Sequence, residues 1–201
     1  MVGKTGSSDS TQGEKGFGQN FSDCNCSLSQ KSASVRSEHW IEGNVETAAG
    51  PVPRVSTKLS GKDRAGAMKV RWAIGRMEYS VPPGLYAAGN PSPESPVFLS
   101  ANYKLSFDRL RSQLEGIDTW LLVLDTGGIN VWCAAGKGAF GTNELIERVE
   151  QSRLVEVVSH RKLLAPQLGA PGISAHEVKR RSGFSVRYGP VRAEDLKVYL
   201  Q

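Results

Sequence analysis

The stretch Asp125-Thr-Gly-Gly-Ile-Asn-Val-Trp-Cys-Ala-Ala-Gly-Lys-Gly-Ala-Phe-Gly141 gathers the residues most able to do chemistry. Asn130 is a helix-capping residue type, so Val131, Trp132 and Cys133 are expected as the first three residues of a helix that Gly136 and Gly138 end after little more than one turn. A thiol in a first turn meets free backbone N–H groups and the positive end of the helix dipole. Both favour the thiolate, the form that attacks electrophiles and binds metals. Asn130 stands three residues before Cys133 and Lys137 four after it, so all three share one helical face and Lys137 adds a cation.

Three roles for this segment compete. Cys133 can be a small buried hydrophobe, as free cysteines often are. Gly136-x-Gly138-x-x-Gly141 can be a dinucleotide fingerprint, but the fingerprint turns straight from strand into helix, and here eleven residues follow Leu124 first. No P-loop spacing is present either, because Val131 stands where the first glycine is needed. Cys133 can also be a covalent nucleophile with His160 as its base; a single His at a strand end is more often a hydrogen-bonded scaffold residue.

These residues need elements to position them. Residues 1–38 are rich in Gly, Ser, Lys, Gln and Asn and too poor in apolar side chains to offset the entropy of ordering, so they read as a disordered leader carrying Cys24 and Cys26. A single domain is expected over residues 39–201. Met68 to Ile74 alternates like a strand, and Pro82 to Pro96, with five prolines and two glycines, reads as a loop. Pro96 to Ala101, Thr119 to Leu124, Leu154 to Val158 and Phe184 to Tyr188 read as strands. Between and after them come a helix capped by Ser106 with Phe107, Leu110 and Leu114 on one face, and a helix starting at Thr142 with Leu145, Ile146 and Val149 for burial. A third helix opens with the capping box Ser174-Ala-His-Glu177 and stops at Gly183, and a terminal helix lies around Glu194 to Leu200. Strand and helix in alternation predict an α/β fold, a Rossmann-like, mostly parallel sheet with helices on both faces and a short cap helix over the ligand site. Ligands of such sheets sit beyond the carboxyl ends of the strands, so the loops after Ala101, Leu124, Val158 and Tyr188 should ring the site.

The bulk properties narrow the class. The 25 Lys and Arg against 20 Asp and Glu leave a charge of +5 spread along the chain, which does not point to nucleic acid. Three cysteines without a secretory segment argue against a disulfide framework and for a reducing, cytoplasmic setting. No apolar run approaches the roughly 18 to 20 residues that span a bilayer, so the chain as it stands is expected to be soluble.

Asn130-Val-Trp-Cys-Ala-Ala-Gly-Lys137 resembles the cap-helix signature of the mercury-methylation corrinoid proteins, a family related to the large corrinoid-binding subunit of acetyl-CoA decarbonylase/synthase systems. Pro83-Gly-Leu-Tyr86, Ser95-Pro96, Ala101-Asn-Tyr-Lys-Leu-Ser-Phe-Asp108, Gly138 to Leu145, His160-Arg161, Pro166-Gln-Leu-Gly-Ala-Pro-Gly172 and Tyr188-Gly-Pro-Val-Arg-Ala193 are similar to the family in the same order. The resemblance thus runs from about His39 to the last residue. It implies a Rossmann-like domain binding cobalamin or a related cobamide base-off, with Cys133 as the thiolate ligand on the lower axial side of cobalt. Cofactor contacts are then expected from Asn130, Val131, Trp132, Cys133, Ala134, Ala135, Gly136, Lys137 and Gly138 of the cap, from Thr126 and Thr142 beside it, and from Ser100, Asn102, His160, Gln167 and Gly189 in strand-end loops. Trp132 is expected as a packing anchor for the cap.

The resemblance further implies a corrinoid-dependent methyltransferase that delivers a methyl group to inorganic Hg(II) to give methylmercury. An anionic sulfur opposite the methyl group donates electron density towards it, which suits transfer to an electrophilic metal ion as a carbanion equivalent or radical. The implied partners are a methyl-donating methyltransferase and a ferredoxin-like reductant with two 4Fe–4S clusters, for which this chain has too few cysteines of its own. Family members continue into a membrane-spanning region after the corrinoid domain, whereas this sequence stops at Gln201, so a soluble fragment or a shortened relative is expected. The alternative is the corrinoid methyl-carrier subunit of the reductive acetyl-CoA pathway. That reading expects an N-terminal iron–sulfur motif, and only Cys24 and Cys26 precede the domain. A non-catalytic nucleotide-binding module is the reading from a different class.

Overall fold

A computed structural model describes residues 38–199 apart from 73, 74 and 76–78, so the expected leader with Cys24 and Cys26 lies outside the described residues. Seven strands form one sheet: β1 (Ile41–Thr47), β2 (Gly50–Val55), β3 (Gly84–Ala88), β4 (Val97–Ala101), β5 (Thr119–Leu124), β6 (Lys162–Ala165) and β7 (Ser185–Tyr188). Their spatial order is β1-β2-β3-β5-β4-β6-β7. The pairs β2/β3, β5/β4, β4/β6 and β6/β7 are parallel, while the β1/β2 hairpin and the β3/β5 pair are antiparallel. The expected mostly parallel α/β sheet is therefore present, with four parallel strands joined at β5 to β3 and β2, which run the other way, and the edge strand β1 reversing once more.

The helices are α1 (Gly61–Arg71), α2 (Lys104–Ser112), α3 (Val131–Gly136), α4 (Thr142–Gln151), the single turn α5 (Leu154–Val157), α6 (Ala175–Ser182) and α7 (Leu196–Tyr199). They cover both faces of the sheet. Along β5, Trp120, Leu122 and Leu124 point to one face, where Leu145, Ile146 and Val149 of α4, Val178 of α6 and Phe184 pack. Leu121 and Val123 point to the other, against Phe107, Leu114 and Leu196. Every residue of β5 is buried, as a central strand sandwiched between helices requires. Each large apolar side chain so buried contributes on the order of 2 kcal/mol.

Four local expectations are corrected. Met68 to Arg71 belongs to α1 rather than to a strand, and Ile74 lies outside the described residues. Ser60 accepts a bond from Asp63 N at 3.3 Å while the Asp63 carboxylate accepts from Ser60 N at 2.8 Å, a capping box that nucleates the helix. Positions two apart on a helix differ by about 200°, which puts Val70 inward and Trp72 outward, whereas a strand would set both on one face. The proline-rich stretch is not all loop, because its prolines flank Gly84–Ala88 and leave that segment free to pair with β5. Leu154 to Val158 is not a strand. Arg153 takes a left-handed φ of 49° that ends α4, and Leu154 and Val157 both turn inward at one-turn spacing. The third parallel strand is β6, so the site-ringing loop expected after Val158 follows Ala165 instead.

The remaining departures are small. Ser106 sits inside the first turn of α2, whose cap position is Tyr103. Ser174 occupies the cap position of α6 without a side-chain cap bond; its N–H donates to Thr142 Oγ1 at 2.8 Å, and Glu177 pairs with Arg180 instead.

Candidate functional site

From β4 the chain crosses to β5 on one side, then returns past β4 to β6 on the other. That reversal leaves the carboxyl ends of β4 and β6 uncovered by a crossing connection, the place where open α/β sheets take ligands. A cleft of about 560 Å³ opens there. Its floor is Phe98, Leu99 and Ser100 of β4 with Leu164 and Ala165 of β6, and its walls come from α2, the segment Gly189–Glu194 and the amino end of α3. The volume lies within the range of small-molecule and cofactor sites.

Helix α3 is the expected cap. Asn130 Oδ1 accepts the N–H of Cys133 at 3.0 Å, the helix runs from Val131 to Gly136, and Gly138 follows with a left-handed φ of 78°. Ala134 and Ala135 are buried against the body of the domain, while Trp132, Cys133, Gly136 and Lys137 face outward. Asn130, Val131 and Trp132 line the cleft, and Cys133 is exposed on the adjoining outer face. The buried-hydrophobe role for Cys133 is thereby excluded. Trp132 is corrected as well, since it is 68% exposed and anchors nothing in the core.

The loop leading into the cap is held by Asn102, which is buried just beyond β4. Its Oδ1 accepts from Thr126 N at 3.1 Å and Gly128 N at 2.9 Å and lies 2.8 Å from Thr126 Oγ1, while its Nδ2 donates to Asp125 Oδ1 at 3.1 Å. Asn102 and Thr126 are thus spent on each other and shape the loop. The far side of the cap rests on the 3-10 segment Gln167–Gly172. A Cβ on Gly172 would stand 2.1 Å from the Phe140 carbonyl and 3.0 Å from Ala135 Cα, both backbone atoms. Gly172→Ala is therefore expected to push this segment off the cap and to lower the urea midpoint by an amount equivalent to about 1–3 kcal/mol. A midpoint unchanged from the parent would show that the packing is looser than these contacts require.

The expected site residues separate into three groups. Ser100, Asn130, Val131, Trp132 and Gly189 meet at the cleft, and Cys133, Gly136 and Lys137 form the outer face of the cap beside it. Asn102, Thr126, Ala134, Ala135, Gly138 and Thr142 build and seat the cap, and Gln167 is exposed between the lining residues Pro166 and Leu168. His160 joins none of these groups. It precedes β6 and its Nε2 lies 2.9 Å from the Ser95 carbonyl at the opposite rim, so it is a scaffold contact and no base for Cys133. The geometry also adds Ser106, Arg109 and Leu110 of α2 with Arg192 and Glu194 beyond β7. Arg109 donates to Glu194 Oε1 through Nη2 at 2.7 Å and Nε at 3.0 Å, spanning one wall of the cleft and holding the Glu194 carboxyl below its usual range. The loop after Tyr188 marked this region in the sequence, but no local pattern singled out these side chains. Among the described residues, no group of three His, Cys, Asp or Glu side chains is placed to hold a metal ion, and no helix is long and apolar enough to cross a membrane.

A mostly parallel sheet with a capped apolar cleft at its switch point defines a Rossmann-like α/β domain. Residues 72–198 match the family model of CdhD, the CO dehydrogenase/acetyl-CoA synthase delta subunit, and the chain belongs to that family. It is 34% identical over 128 residues to the acetyl-CoA decarbonylase/synthase complex subunit gamma of Archaeoglobus fulgidus, covering 63% of this chain and 27% of that protein. The same subunit of Methanopyrus kandleri is 33% identical over 128 residues, with 63% and 27% covered, and that of Methanocaldococcus jannaschii 36% identical over 116 residues, with 57% and 23% covered. The chain spans about a quarter of the length of these curated relatives.

Proposed function

We propose that this chain is a corrinoid-binding domain for methyl transfer, with Cys133 as the thiolate ligand to cobalt. The observation that carries this reading is the exposed cysteine on a one-and-a-half-turn cap directly beside an open apolar cleft. The residues fit such a cofactor in three ways. The cleft of about 560 Å³ would take one arm of a cobamide. Its lining is apolar with a few polar groups, Ser100 in the floor and Asn130 and Arg192 at the rim, as an amide-fringed organic ligand needs. The outer face of the cap, with Gly136 leaving room beside Cys133, offers sulfur and indole to a flat ring. A corrinoid supplies a cobalt centre able to take up and release a methyl group. The protein's part is to hold the sulfur at a fixed height through the Asn130 cap bond and the Ala134–Ala135 packing, and to keep the cofactor's arm out of water.

Two acceptors follow from different observations. Membership in the acetyl-CoA synthase family supports a methyl carrier that passes methyl groups to a partner subunit of one-carbon metabolism. The cap with Cys133 supports transfer to Hg(II) giving methylmercury, because a soft thiolate donor from Cys133 would make a corrinoid held there more electron-rich, as delivery of a methyl group to an electrophile needs. A low-potential ferredoxin-like protein and a methyl-donating methyltransferase are the partners either reading requires.

The visible spectrum of the protein reconstituted with hydroxocobalamin tests the cofactor. Cys133→Ala is expected to change the cobalt absorption bands while the cobalamin stays bound; superimposable spectra, or no cobalamin retained by the parent chain, would overturn the proposal. Methylmercury formed from Hg(II) under reducing conditions, with a ferredoxin supplied, separates the two acceptors: product assigns mercury, and its absence assigns the carrier.

A further inference from the structure

Helix α1 carries an outward face that the site does not use. Asp63, Gly66 and Val70 turn inward, where Asp63 joins an ion network and Gly66 packs on Tyr79. At 100° per residue the opposite side is a stripe of Gly61, Ala65, Met68 and Trp72, all exposed, with Met68 at 57% and Trp72 at 73%. Cations flank the stripe on both sides, Lys62 and Lys69 along one edge and Arg64 and Arg71 along the other, and all four are exposed. The helix has one acid, Asp63, and it is buried and neutralised within the domain.

We propose that this face docks on an anionic lipid surface. An apolar stripe holding Trp and Met, with Lys and Arg at its margins, is the pattern of a helix lying in the headgroup plane, the rings and thioether entering the acyl boundary while the long cationic stems reach back to phosphates. The cations supply a negative-lipid requirement and the stripe supplies depth. A purely acidic protein partner would use the cations and leave the exposed Trp72 without a role. Eleven residues make a shallow, salt-sensitive contact, which positions the domain at a bilayer without spanning it.

Co-sedimentation of the full 201-residue chain with vesicles tests this. Binding is expected to phosphatidylglycerol/phosphatidylcholine vesicles, to be lost on pure phosphatidylcholine, and to fall steeply at high salt. Trp72→Ala and the pair Lys62→Gln/Lys69→Gln should each weaken it by about tenfold, whereas Val155→Ser, an exposed apolar change elsewhere, should not. All these side chains are exposed, so circular dichroism and the thermal midpoint should stay as in the parent. In a Trp132→Phe background, the emission of Trp72 should shift to the blue on adding anionic vesicles. No sedimentation, binding that Trp72→Ala leaves intact, or retention on poly-glutamate alone would overturn the proposal, the last in favour of an acidic protein.

Discussion

Lys104→Met is expected to lower the free energy of unfolding by about 3–5 kcal/mol, read as a reduced urea midpoint at neutral pH. Lys104 Nζ sits between two buried carboxylates, 2.8 Å from Asp63 Oδ1 and 2.6 and 2.8 Å from Asp108 Oδ1 and Oδ2. Arg111 completes the cluster, with Nε donating to Asp108 Oδ1 at 2.8 Å and Nη2 an ion pair at 2.9 Å from Asp63 Oδ2 without hydrogen-bond geometry. The Arg111 Nη1 group donates to the Ser56 and Lys58 carbonyls, and His39 Nε2 lies 2.9 Å from Asp63 Oδ1. Two acids and two permanent cations balance inside the domain, tying α1 to α2. Methionine keeps the volume of lysine and removes its charge, so one carboxylate is left buried without its counter-ion. A loss below about 1 kcal/mol would show that water or a shifted proton compensates.

The same cluster fixes the acid side of the stability curve. Burial by itself would raise the Asp63 carboxyl, but the bonds from Lys104, Ser60 and His39 outweigh it and hold that carboxyl far below the usual range. A group lowered in the folded state stabilises above its unfolded value, near 3.8, and loses that contribution as pH falls below it. Stability should therefore be flat in this contribution above about pH 5 and decline progressively below pH 4. Denaturation series at stepped pH check the sign, and an Asp63→Asn variant should show a shallower acid limb. A parent curve that rises on acidification would contradict the assignment.

Asn102→Ala is the second large effect, about 3 kcal/mol of destabilisation together with a loosened cap. The substitution takes the acceptor from Thr126 N and Gly128 N at once, while the Thr126 hydroxyl keeps the Ile129 carbonyl at 2.7 Å; buried donors left unpaired cost roughly 1–3 kcal/mol each before relaxation. Because this loop feeds straight into Asn130, the amides of residues 126–134 should exchange with solvent faster than those of β5. Urea unfolding gives the first quantity and hydrogen exchange the second. Unchanged exchange in the cap, with only global destabilisation, would show that the loop and the cap are uncoupled.

What could be read in the sequence follows from how local each signal is. The cap was legible because Asn130 and Gly138 fix both ends of α3 by chemistry within the segment. β5 was legible because a continuous apolar run has few alternatives. The α1 helix was not, since the apolar spacing of Val70, Trp72 and Ile74 copies a strand and the deciding partners, Lys104 and Arg111, are far along the chain. β6 was misplaced for a similar reason: Leu154 and Val157 carry an apolar run, but a left-handed Arg153 turns it into one helical turn. In the site, the backbone positions were foreseen and the rim side chains of α2 were not, because the pairing of Arg109 with Glu194 joins residues 85 apart.

The cap hangs between Gly128, with φ 71°, and Gly138, with φ 78°, and meets the body mainly through two alanines and the Gly172 backbone. Such an attachment makes α3 an exchangeable cassette. Its six residues can be grafted between scaffolds of this kind, or rewritten, without disturbing a sheet whose strands lie elsewhere in the chain. Changes confined to this segment would alter the outer lip of the cleft while leaving its floor of β4 and β6 as it was.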